Sequence, residues 1–196
     1  MQRAAELAQP PVGEAGPDQY YLAQYLLSQA ANVLEANEVL ALLDTLKPVF
    51  AAQPPHVQGG RQWRQYQISY LGRAGQAEKV LELKKQQAVD YPHDASVQQQ
   101  YVEALVEVKN YDAARAWLDE VLGADAQWDT GEDESLRNTI TRMYREQDRY
   151  REHAAYLAAW VATNPAGASA YQQYLSALIK NDQIEEATQF VDQWLE

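Results

Sequence analysis

Residues 101–122 read YVEALVEVKNYDAARAWLDEVL. Apolar side chains recur at three- and four-residue intervals on both sides of Lys109-Asn110, the period of an amphipathic helix. The stretch reads as two helices joined by a tight turn at that dipeptide. Working outward, the same pattern returns. On the N-terminal side, residues 61–72 pair with 76–90, Gly72 and Gly75 supply the turn, and Tyr91-Pro92 closes the unit. On the C-terminal side an acidic insertion, Asp129-Thr130-Gly131-Glu132-Asp133, reads as a solvated loop. A hairpin of 134–146 and 149–163 follows and ends at Asn164-Pro165. The last hairpin pairs 168–180 with 183–196. Upstream lie a helix from Asp18, with Asp18 as its N-cap, and another over 36–52. Pro48 is expected to kink or shorten the latter. Residues 53–60, QPPHVQGG, read as a loop. Nothing in the chain requires a strand, so the fold class is all-α.

The hairpins keep a constant phase. Val80 and Ala114 are 34 residues apart, as are His153 and Ala187. The interval from Ala114 to His153 is 39, and residues 129–133 account for the five extra positions. A helix–turn–helix period of 34 residues is that of tetratricopeptide repeats. Trp63, Tyr66 and Tyr70 carry the aromatic spacing of that motif, as do Tyr171, Tyr174, Leu175 and Leu178. Tyr101, Val102 and Leu105 match in the next unit, and Ile140 and Tyr144 in another. Tyr111 with Ala114, and Ile184 with Ala187, repeat the aromatic–small step of second helices. From residue 61 onward the chain resembles the tetratricopeptide family. The resemblance implies an α-solenoid of antiparallel helix hairpins, a superhelix of about four to five repeats spanning 18–196. Its units are about 18–60, 61–94, 95–133, 134–167 and 168–196. The family's small positions are filled by Gln67, Val102, Thr141 and Leu175 in first helices and by His153 in one second helix. Larger side chains there should alter helix crossing angles. Residues 1–17, dense in Pro and Gly, read as a linker or the remnant of a preceding helix. Trp194 and Leu195 are expected to face no capping helix, which suggests a piece of a longer repeat protein.

Acids outnumber bases 28 to 16, for a formal net charge of -12. A phosphate-binding surface clusters Lys and Arg, so no nucleic acid and no membrane are expected as partners. There is no cysteine, which removes disulfides, thiolate catalysis and Cys-based zinc sites. No apolar leader follows Met1-Gln2-Arg3, and the apolar stretch 39–46 is too short to span a bilayer. A cytoplasmic location is the expectation.

No catalytic constellation is found, and neither a cofactor nor a metal site is expected. His56 and His93 lie in or beside Pro-containing connections, and His153 sits on a packing face. No pair of histidines has the i, i+4 spacing of a metal site. The insertion at 129–133 lacks the spacing of a calcium loop. What remains is surface. The family resemblance implies that first helices line a concave groove. Its polar positions here are Arg64 and Gln65; Gln99, Gln100 and Glu103; Asn138, Thr139 and Arg142; and Gln172, Gln173 and Ser176. Such amides both donate and accept, which suits an extended peptide backbone. The family's clamp for chaperone carboxylates needs Lys, Asn and Arg on successive first helices. Arg64, Gln100 and Thr139 do not supply that set, though Arg64, Arg142 and Arg145 offer a looser anion patch. The expected role is a non-catalytic scaffold binding a protein or peptide segment in the groove. The alternative is a structural segment that self-associates as a homo-oligomer through its repeat ends.

Overall fold

The structure is a computed structural model that describes residues 17–53, 58–123, 128–163 and 168–195. Readings made of 1–16, of His56, of Asn164-Pro165 and of the Trp194 and Leu195 side chains lie outside the described residues. Among the described residues the chain forms ten α-helices and no strand. Its contacts divide it into two units, 1–90 and 91–196.

The first unit holds α1 (Pro17–Ala30), α2 (Ala36–Ala51), α3 (Gly59–Arg73) and α4 (Ala77–Asp90), each packed on the next. Its core gathers Tyr20, Leu27, Val39, Leu43, Leu46 and Phe50. The Phe50 ring meets Tyr20 and Tyr66 edge-on, with centroids 5.5 and 5.9 Å away, the arrangement favoured by ring quadrupoles. Trp63 brings its indole N–H to the Leu43 carbonyl at 3.2 Å. Two sequence expectations change here. Asp18 lies inside the first turn of α1, where its charge faces the positive end of the helix dipole, and not at the cap. Gly59 and Gly60 belong to α3, not to a loop. Gly59 is buried there, and a Cβ on it would stand 2.3 Å from the Phe50 carbonyl oxygen. Only glycine lets the backbone return this closely to the end of α2.

The second unit holds α5 (Ala95–Glu107), α6 (Tyr111–Val121), α7 (Thr130–Glu146), α8 (Tyr150–Thr163), α9 (Ala168–Lys180) and α10 (Ile184–Leu195). Successive helices pack on one another, and α5 also packs on α7. Val102, Leu105, Ala114, Leu118, Leu136, Ile140, Leu157 and Leu178 are buried. Residues 129–133 are not a solvated loop. Asp129 caps α7 by accepting from the Glu132 N–H at 2.8 Å, and Glu132 accepts from the Asp129 N–H at 3.2 Å. This reciprocal box satisfies two backbone donors the helix start would otherwise leave open. Trp128, just before it, donates to the Val121 carbonyl at 2.9 Å and ties the connection back to α6.

Four hairpin turns share one geometry. Gly75, Lys109, Asp148 and Asp182 all have φ between 55° and 70°. The following amide bonds back five residues in each: Gln76 to Leu71, Asn110 to Leu105, Arg149 to Tyr144 and Gln183 to Leu178. The left-handed residue itself bonds back three residues in each case. This pair of bonds is the Schellman stop, which closes a helix and frees the chain to reverse. The four residues are 34, 39 and 34 positions apart. The α1–α2 connection differs, with no positive φ among residues 31–35.

Candidate functional site

In the second unit α5, α7 and α9 each open a hairpin, and polar side chains bridge them. Ser135 on α7 donates to the side-chain amide oxygen of Gln99 on α5 at 3.3 Å. Arg142 on α7 donates to Glu103 on α5 at 3.4 Å and stands 3.8 Å from Glu146. Gln173 on α9 donates to Asn138 on α7 at 2.7 Å and to Ser169 at 3.1 Å. Gln99 also donates to Glu103 at 3.4 Å, and Gln100 to Ser96 at 3.3 Å. Gln172 and Ser176 are exposed. Eight of the eleven sequence-derived positions thus keep at least partial exposure on α5, α7 and α9, five of them (Gln99, Glu103, Asn138, Arg142 and Gln173) as partners in these bridges. All of them are within the second unit.

Three do not. Thr139 is buried at 3% exposure and returns its hydroxyl to the Ser135 carbonyl at 3.2 Å. Its position in the first-helix pattern pointed outward, but packing of α7 turns it inside. Arg64 and Gln65 lie on α3 in the first unit. Arg64 is bound to Asp90 at 2.6 Å, and that hydrogen bond holds the Asp90 carboxyl below its ordinary range. Of the three arginines of the looser anion patch, Arg64 belongs to the first unit and Arg142 and Arg145 to the second, and Arg64 and Arg142 are each paired with carboxylates.

No protein-family model matches the chain. No curated protein matches it either. The chemistry of the chain rests on its own residues.

A second feature was not singled out from the sequence. Beside the polar face, α7, α8 and α9 enclose a pocket of about 170 Å³. Arg145, Lys180 and His153 line it together with Gln172, Gln173 and Ser176. His153 is 5% exposed, and its Nε2 has no hydrogen-bond partner. Burial drives its pKa down to about 4, helped by the Arg145 and Lys180 charges, so the imidazole is neutral at pH 7. The sequence marked His153 as a packing-face residue, outsized for a small position. The signal that it borders a cationic pocket lay in Arg145 eight positions before it and Lys180 twenty-seven after, a separation no local pattern links.

A third cluster is structural in character. Arg115 lies over the rings of Tyr144 and Tyr156, 5.6 and 4.7 Å from their centroids, and is clamped by Asp119 at 2.8 Å. Burial raises the Tyr156 phenol to about 12. Among the described residues no group of three His, Asp or Glu side chains is placed to hold a metal ion. No helix there is long and apolar enough to cross a membrane.

Proposed function

We propose that the chain is a non-catalytic scaffold, built as a tetratricopeptide-like α-solenoid, that binds a peptide or protein segment on the polar face of α5, α7 and α9. The observation that carries this reading is the set of bridges joining the three helices: Ser135 to Gln99, Arg142 to Glu103, and Gln173 to Asn138. They hold neighbouring amides in fixed positions, so a peptide backbone would meet donors and acceptors already ordered. Recurrence of one turn geometry at 34, 39 and 34 residues supports the repeat reading. An acidic net charge of -12 supports a protein partner over a nucleic acid.

Panning a random peptide library against the protein tests the reading. Selected peptides should bind the Gln100→Glu/Gln173→Glu variant at least about tenfold more weakly, roughly 1.4 kcal/mol, with the far-UV circular dichroism unchanged. Peptides that bind both proteins equally would place recognition elsewhere. A second reading, self-association through an end hairpin, draws on Ile179 and Ile184, 52% and 53% exposed on the last hairpin. Sedimentation over a wide concentration range decides it, since a monomer throughout would remove it.

A further inference from the structure

The pocket between α7, α8 and α9 holds an unusual combination for so acidic a chain. Arg145 and Lys180 both line it, and among the described residues neither takes part in an ion pair. No acidic side chain lines the pocket. Tyr150, which also borders it, turns its hydroxyl to Asp148 at 2.8 Å. Acids outnumber bases 28 to 16 in the chain, so two unpaired cations around one cavity are not what composition alone supplies. Like charges held together in this way repel, and an anion between them relieves that cost. Behind them His153 is buried with an unpartnered Nε2. A buried polar atom with no partner is costly in a folded protein. The exposed Gln172 amide and Ser176 hydroxyl add donors at the edge.

From this geometry we propose that the pocket binds an oxyanion, a carboxylate or phosphate group. Arg145 offers a planar fork suited to two oxygens and Lys180 a compact charge. Ser176 and Gln172 donate from the edge, and the His153 ring forms part of the wall. Gln172, Gln173 and Ser176 belong both to this pocket and to the polar face, so the inference rests on the proposed face for one step only. That step is the source of the oxyanion: a group carried by the bound peptide, or a free ion.

The test uses the full chain and two probes, inorganic phosphate and acetate, at constant ionic strength and pH 7. The readout is the His153 imidazole resonance, with exposed His93 as the reference. Either probe should shift His153 saturably, and the Arg145→Gln and Lys180→Gln variants should weaken that response at least about tenfold. Both replaced side chains are exposed, so the fold is expected to persist and circular dichroism checks it. The probe that saturates at the lower concentration identifies the source chemistry, and an acidic or phosphorylated peptide that competes with it assigns the group to a peptide. A His153 response no different from that of His93, or one unchanged in both variants, overturns the pocket. If phosphate saturates while peptide binding is indifferent to Gln100→Glu/Gln173→Glu, the pocket stands and the proposed face falls.

Discussion

At the scale of single residues, His153 is the side chain whose state depends most on its surroundings. Burial, then Arg145 from α7 and Lys180 from α9, lower its pKa from 6.5 to about 4. The Tyr144 ring of α7 lies 6.2 Å from its own, and Tyr150 borders the same pocket from α8. The folded state therefore binds its proton later than the unfolded chain as pH falls. Stability from this group is complete above pH 6.5 and declines as pH drops towards 4. Between pH 7 and pH 5 the loss should be about 2 kcal/mol, using about 1.4 kcal/mol per pKa unit. Denaturant unfolding at the two pH values measures it, with His153→Gln as the comparison. If the wild type and the variant lose stability in parallel, the imidazole is not the group responsible. The sequence placed His153 on a packing face, and the structure buries it. The pocket it borders was not legible, because Arg145 and Lys180 reach it from helices distant in the chain.

At the scale of elements, the turns explain why the hairpins form where they do. Two residues before the end of each of these four helices, Leu71, Leu105, Tyr144 or Leu178 offers the carbonyl that takes the amide five residues on. The residue before that amide must be left-handed. Glycine fills this place only at Gly75, while Lys109, Asp148 and Asp182 adopt φ of 59°, 55° and 60°. A side chain there costs about 1 kcal/mol relative to glycine. Lys109→Gly and Asp182→Gly should each stabilise the protein by about 0.5–1 kcal/mol, read as a higher denaturation midpoint with an unchanged slope. Loss of stability in both would mean that these turns are held by side-chain contacts and not by backbone geometry. The turn at Lys109-Asn110 was legible because Asn110 is a good cap, and its side chain accepts from the Ala113 N–H at 3.4 Å. The α7 helix starts at Thr130, four residues before the expected 134, because Asp129 caps it. The signal was present in the Asp129-x-x-Glu132 spacing, which closes a capping box.

At the scale of the whole molecule, each unit has ends and middles. In the second unit α7 packs on α5, α6 and α8, whereas α10 rests on α9. In the first, α1 rests on α2. A helix with one such neighbour among the described residues, as α10 has, buries less surface and opens more cheaply. Amide exchange should be at least about tenfold faster in α10 than in α7, read residue by residue on dilute protein. Protection of α10 equal to that of α7 would show that something covers the last hairpin. Protection that rises with concentration would identify a second copy as the cover.

By itself the sequence determined the helical class and the places where the later hairpins reverse. Those features follow from local periodicity and from turns only a few residues long, so neighbours in sequence suffice to set them. In α1 the sequence pointed to Tyr21, Leu22 and Tyr25 as the apolar face, and the structure buries Tyr20, Ala23 and Leu27 instead. The tertiary structure alone decided that Thr139 is buried, that Arg64 and Arg142 are neutralised by Asp90 and by Glu103 with Glu146, and that Arg145 and Lys180 share a pocket with His153. Side-chain partnerships of this kind join residues that are tens of positions apart in the chain. They depend on the rotation of each helix against its neighbours, and one-dimensional spacing does not fix that angle.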